Sequence, residues 1–230
     1  MHKILVFDLD GTLCPIGKGM SDVARRLLRE LERAGYRIAV SSGKTLYYLA
    51  GFMRQLDLEA PILIGENGGA FQEGVGIPPH NYHVFPYDPK ADEQIALMRK
   101  RINAACREKI WYQPNEVGLV PVTVDPESHR TILKLIEEHK ADLDALTIYH
   151  YTDSFDMMPN GIDKQNGLRF LSDIMDLKPE DFIVFGDGIN DIPMFSYADV
   201  SVVIGDLDYP ATWRFANIEE AMRFLLEHRF

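Results

Sequence analysis

The 230-residue chain is short of cysteine, of positive charge and of long apolar runs, and each shortage closes off a class of function. Its two cysteines, Cys14 and Cys106, lie far apart and form no CxxC pair. That excludes a disulfide framework or a thiolate metal knuckle and points to reduced thiols. Lys and Arg number 24 against 35 Asp and Glu, a net charge of −11. A general nucleic-acid binder needs a basic stripe, so none is expected, and an anionic substrate would need a local positive site against an unfavourable overall field. Asp8 interrupts the opening apolar run, so neither a signal peptide nor a membrane span is read and a cytoplasmic protein is expected. The seven histidines show no metal-ligand spacing. Internal repeats and low-complexity segments are also lacking.

What the chain does have begins with Asp8-Leu9-Asp10-Gly11-Thr12-Leu13, directly after Ile4-Leu5-Val6-Phe7. Four apolar residues bounded by charge and glycine read as a buried strand of a parallel sheet, and ligands bind outside the carboxyl ends of such strands. Two carboxylates placed there repel each other and resist desolvation. A hard cation with oxygen ligands resolves that conflict, and a carboxylate beside it can act as a nucleophile. Read alone, Asp8 and Asp10 also suit a simple turn near Gly11.

Strands and helices alternate through most of the chain. A helix capped by Ser21 runs to about Ala34, with Val23, Leu27, Leu28 and Leu31 on one face and Gly35 as terminator. A strand follows at Arg37–Ser41, then a helix from Lys44 to about Leu56 and a strand at Ile62–Ile64. The rhythm resumes with a helix over Gln165–Met175, a strand at Phe182–Phe185, a helix over Asp191–Tyr197 and a strand at Val200–Ile204. Asn217 and Glu220 form a capping-box pattern for a last helix over Ile218–Glu227. This alternation predicts an α/β fold, a doubly wound Rossmann-like parallel sheet. Residues 82–158 break the rhythm. They read as an inserted α+β domain, with strands near His83–Pro86, Ile110–Gln113, Val117–Val124, Thr147–Tyr151 and Ser154–Met157, and helices over Lys90–Lys109 and Pro126–Lys140. The core is then residues 1–81 and 159–230.

Further motifs fall where predicted strands end. Ser41-Ser42-Gly43-Lys44-Thr45 offers hydroxyls and helix N–H groups to a phosphate oxygen, or an ordinary helix cap. Gly186-Asp187-Gly188-Ile189-Asn190-Asp191 adds two more acids, with glycines that permit close approach. Lys164 is a candidate fixed cation or a solvated surface lysine. Taken together and in this order, the segments resemble the haloacid dehalogenase superfamily of phosphotransferases. Asp8-Leu9-Asp10-Gly11-Thr12 looks like its first motif, Ser42 its second, Lys164 its third, and Gly186-Asp187 through Asn190-Asp191 its fourth. The position of the insertion and Glu66-Asn67-Gly68-Gly69 resemble the Cof-type branch, which includes sugar-phosphate and phosphoglycolate phosphatases and phosphomannomutases. Ser42-Gly43-Lys44 stands where many relatives have Thr-Gly-Arg, so a point charge replaces a planar fork.

The resemblance implies that Asp8 is a nucleophile forming an aspartyl-phosphate and Asp10 the general acid and base. It implies Mg²⁺ held by Asp8, the Asp10 main-chain carbonyl and Asp187, with Asp191 holding a water or a neighbouring group. Ser42, Gly43, Lys44, Asn67, Lys164 and Asn190 are the implied substrate-binding residues. The insertion is the implied cap that selects the substrate, with the Trp111–Glu116 segment as candidate selector, although Trp111 and Tyr112 also suit packing within the cap. The expected function is a Mg²⁺-dependent phosphatase of a small phosphorylated metabolite, working as a monomer or homodimer. The alternatives are a phosphomutase of the same chemistry and a non-catalytic binding protein on the same scaffold.

Overall fold

In the computed structural model of the chain, residues 3–76, 78–106 and 109–228 are described. The elements in order are β1 (Ile4–Phe7), α1 (Asp22–Arg33), β2 (Arg37–Ser41), α2 (Leu46–Met53), β3 (Ile62–Gly65), β4 (Ala70–Glu73) and β5 (His80–Val84). Then come α3 (Lys90–Cys106), β6 (Ile110–Gln113), β7 (Val120–Thr123), α4 (Pro126–Glu138), β8 (Leu146–His150) and β9 (Phe155–Pro159). The chain finishes with α5 (Lys164–Met175), β10 (Phe182–Gly186), α6 (Ile192–Phe195), β11 (Val200–Ile204), β12 (Trp213–Phe215) and α7 (Ile218–His228). The helix expected to reach Lys109 is described to Cys106, and residues 107 and 108 lie outside the described residues.

The chain separates into two compact units, Met1–Phe85 with Asp163–Phe230, and Pro86–Ile162. The first is built on one eight-stranded sheet in the order β12-β11-β10-β1-β2-β3-β4-β5. The six strands from β12 to β3 are parallel, and β4 and β5 are antiparallel additions. The expected neighbours hold: β1 lies between β2 and β10, with Phe7 opposite both Val40 and Phe185. Every residue of β1 is buried because both sheet faces are covered. Leu5 and Phe7 join the core with α1, α2 and α7, while Ile4 and Val6 join the core with α5 and α6.

The strand expected at His83–Pro86 as the start of the insertion belongs instead to this sheet. It is β5, pairing with β4, and its Tyr82 and Val84 pack against the sheet's own core. β4 itself was not expected. It is four residues long, directly after Gly68-Gly69, and reads as loop until its partners are in place. β12, three residues long, was also not expected.

The second unit packs α3 and α4 on two hairpins, β6–β7 and β8–β9. Bridges between Leu119 and Met157 and between Val122 and Ser154 join the hairpins. Its core is built on Met98, Ile102, Leu119, Ile132, Phe155 and Met157. No described helix is long and apolar enough to cross a membrane.

Candidate active site

Four strands of the large sheet end at one place. Backbone pairing runs one residue past β1, where the Asp8 N–H donates to the Phe185 carbonyl at 2.9 Å. It also runs past β2, where the Ser42 N–H donates to the Ile64 carbonyl at 3.0 Å. Both side chains therefore leave the carboxyl end of the sheet from rigid backbone. Asp187 follows β10, and the turn Glu66–Gly68 follows β3.

Lys164 is the hub. It opens α5, whose first turn is capped by the Asp163 side chain accepting from the Asn166 N–H at 2.8 Å. The lysine is 1% exposed. Its Nζ donates to Asp8 Oδ1 at 2.5 Å and to Asp191 Oδ1 at 2.6 Å. The surface alternative for this residue is thereby excluded. Asp191 Oδ2 accepts the backbone N–H groups of Asp187 and Gly188, each at 3.0 Å. Asp191 thus both steadies the lysine and folds the turn that carries Asp187. Thr12 Oγ1 donates to Asp187 Oδ1 at 2.6 Å, tying the first motif to the fourth.

Two glycines are required by contact. Gly11 has φ +100°, and a Cβ there would lie 2.2 Å from Asp187 Oδ2. Gly167, inside α5, lies against Gly68, and a Cβ on it would come within 2.5 Å of the Gly68 Cα. That approach seats the start of α5, and so Lys164, against the turn carrying Asn67.

The other expected residues are placed as follows. Lys44 Nζ is 3.3 Å from Asp10 Oδ2, and the Gly17 N–H donates to Asp10 Oδ1 at 3.3 Å. Ser42 Oγ accepts the Lys44 N–H at 3.2 Å, and the Asn67 N–H donates to the Ser42 carbonyl at 3.0 Å. A Cβ on Gly43 would lie 3.3 Å from Asn67 Oδ1, so Ser42, Gly43 and Asn67 form one packed cluster. Asn190 is exposed on the β10–α6 turn. In the second unit, Tyr112 packs on α3, donating to Asn103 Oδ1 at 2.8 Å, whereas Trp111 is 57% exposed. Asn115 serves its own turn, accepting from Gln113 at 2.8 Å. Thr12 and Gly68 were read only as members of motifs, without roles of their own, and Gly167 was not named. A glycine in a helix interior costs about 1 kcal/mol against alanine, so Gly167 carried a readable signal of close approach.

Asp8, Asp187 and Asp191 each bring a carboxylate oxygen within 4.8 Å of the others. The Asp8 carboxyl is pushed up to about 7, by burial first and by Asp191 and Asp187, against the pull of Lys164. Burial also raises Asp187, with Asp191 adding to it against the Thr12 hydrogen bond. Lys164 rises too, because the two carboxylates outweigh its burial. Three carboxylates and one ammonium leave two negative charges without an opposite. An all-oxygen donor set with that deficit fits a hard divalent cation. Cys14 is no competing nucleophile, because burial, with Asp10 and Asp8 nearby, pushes its thiol up to about 11.

A doubly wound sheet with acids clustered around a buried lysine at its carboxyl end is a site of the kind that holds a hard cation and an anionic ligand. The chain belongs to the haloacid dehalogenase-like hydrolases, whose family model matches residues 5–77 and 80–212. It is 25% identical over 205 residues to a phosphoglycolate phosphatase of Methanopyrus kandleri, covering 88% of this chain and 84% of the relative. It is 29% identical over 221 residues to a phosphoglycolate phosphatase of Metallosphaera sedula, covering 95% and 91%. A solved haloacid dehalogenase-like hydrolase from Bacteroides thetaiotaomicron superposes with a TM-score of 0.82 at 18% identity, over 98% of this chain and 100% of that one. The chain is thus a phosphoric monoester hydrolase of this family.

Proposed function

We propose that the protein is a Mg²⁺-dependent phosphatase of a small phosphorylated metabolite, a sugar phosphate or a phosphoglycolate-like acid, acting through an aspartyl-phosphate on Asp8. The observation that carries this reading is Asp8 held at 2.5 Å by a fully buried lysine beside Asp187. A carboxylate in that setting is oriented for attack and shielded from bulk water. Asp8, the Asp10 carbonyl and Asp187 would hold the cation, which when bound neutralises charge on the transferring phosphoryl group.

Asp8 attacks phosphorus, and the bond from phosphorus to the ester oxygen breaks. Asp10 gives its proton to the departing alkoxide. Asp10 then takes a proton from water as the water oxygen attacks phosphorus, which releases phosphate and restores Asp8. Lys164 and Ser42 hold phosphoryl oxygens throughout. Lys44, 3.3 Å from Asp10, would hold that side chain in place. The inserted unit chooses the substrate, since groups that touch only phosphoryl and metal cannot separate one ester from another.

The relatives at 25% and 29% identity support a small phosphorylated acid as the first substrate to try. The test is phosphate release from a panel of phosphorylated metabolites, without any bisphosphate activator. Turnover should vanish in EDTA and return with Mg²⁺. Full activity in metal-free buffer, or release only with a bisphosphate present, would refute the reading.

A further inference from the structure

We propose that His129 and His150 form a second metal site, for a borderline divalent transition-metal cation such as Zn²⁺ or Ni²⁺, on the inserted unit. The two are 21 residues apart and so carry no ligand spacing in the sequence. Folding brings them together: His129 lies in the first half of α4, and His150 is the last residue of β8. Their Nε2 atoms are 2.6 Å apart. Both rings stack on Phe155, at centroid distances of 4.6 and 5.1 Å.

The hydrogen bonds around His129 decide which of its nitrogens carries the lone pair. Thr123 Oγ1 donates its one proton to the Asp153 carbonyl at 3.0 Å. With the Thr123 hydroxyl proton on Asp153, the 3.3 Å contact between Thr123 Oγ1 and His129 Nδ1 is one in which Nδ1–H donates. In the neutral ring this leaves Nε2 bare and aimed at His150. An imidazole whose far N–H is anchored while its other nitrogen faces a second imidazole is the arrangement that metal-ligating histidines adopt. Nitrogen donors favour Zn²⁺, Ni²⁺ or Cu²⁺ over Mg²⁺. A tetrahedral ion about 2.0–2.1 Å from each nitrogen sets the two nitrogens about 3.3 Å apart. Binding would require the two rings to open from 2.6 Å to that distance. Asp125, Arg130, Thr152 and Asp153 line the adjoining cleft with His129. The ion would tie α4 to β8.

The proposal does not depend on the phosphatase reading. It is tested on the full chain with Mg²⁺ saturating, so that the acidic cluster is occupied. Titration with Ni²⁺ should show one site, which His129→Ala and His150→Ala each weaken by at least tenfold. His150→Gln keeps a polar group but no ring lone pair and should behave like His150→Ala. Thr123→Val, which removes the anchor on Nδ1, should weaken binding about 10–100-fold. Substoichiometric Cu²⁺ should show electron paramagnetic resonance hyperfine from two nitrogens in the wild type and not in the variants. Phosphate release at saturating Mg²⁺ should be the same in all of them. Wild-type Ni²⁺ affinity in the double alanine variant would overturn the site. So would the absence of a nitrogen-bound ion in the wild type, and the pair would then be a ring-to-ring hydrogen bond.

Discussion

Asp8 and Asp10 sit two residues apart and face different partners. Asp8 is buried against Lys164, while Asp10 meets Lys44 and the Gly17 N–H at the rim. The proposed roles separate along that line. Asp8→Asn should abolish turnover and covalent phosphate together, because an amide is not a competent nucleophile. Asp10→Asn should still accept phosphate slowly and lose about 10²–10⁴-fold in rate, the usual worth of positioned acid–base help. Acid-quench trapping of phosphoenzyme alongside steady-state rates distinguishes the two. Equal residual activity in both variants would show that the roles are misassigned. At this scale the sequence was legible for the acids, since two carboxylates at the end of a buried strand repel each other and resist desolvation, although read alone they also suited a turn. Lys164 was read as a candidate cation, but its burial was not legible, because that depends on two aspartates, one 156 residues before it in the chain and one 27 residues after it.

Elements place what residues supply. The N-terminus of α5 can reach the β3 turn only because neither Gly68 nor Gly167 has a side chain. Gly167→Ala should destabilise the fold by about 1–3 kcal/mol, the cost of overpacking a tight contact. It should also lower kcat more than it changes KM, since the helix carrying Lys164 must shift. Urea unfolding and steady-state kinetics on the same sample measure both. An unaltered kcat would show that Lys164 is not set by this contact.

A second element-level device lies between β2 and β4, where Arg37 bonds Glu73, which also accepts from Asn81. Burial alone would push the Glu73 carboxyl up, but the hydrogen bonds from Arg37 and Asn81 and the Arg37 charge hold it below the usual carboxylate range. Its folded pKa is thus below its unfolded one. Between the two the unfolded chain binds more protons, and stability rises with pH. The contribution is present above the unfolded value and is lost as pH falls through the folded one. Solvent screening keeps it to about 1 kcal/mol or below. Glu73→Gln should therefore cost stability near neutral pH, and the deficit should shrink as pH falls below the free glutamate value of about 4.3. Paired urea titrations at the two pH values check this, and a constant deficit would contradict it.

For the whole molecule, the proposed function gives the chemistry to the sheet unit and the choice of substrate to the inserted unit. If the inserted unit selects the substrate, changing its exposed Trp111 together with Glu116 to alanine should reorder the preferred esters. A small generic ester should still be hydrolysed at close to the wild-type rate, as expected when leaving-group binding is lost and transition-state contacts are kept. Equal loss on every ester would instead tie this segment to catalysis or to the unit's own packing.

The sequence by itself determined the alternation of strands and helices, the parallel core of the sheet and the strand ends at which the acids gather. Those follow from local periodicity and from the cost of placing charge beside buried strands, both written within a few residues. Only the tertiary structure decided that β4 and β5 extend the large sheet, that Lys164 is buried between Asp8 and Asp191, that Gly68 and Gly167 meet, and that His129 faces His150. Each of these joins segments distant in the chain, and its stability comes from a partner that local spacing does not name.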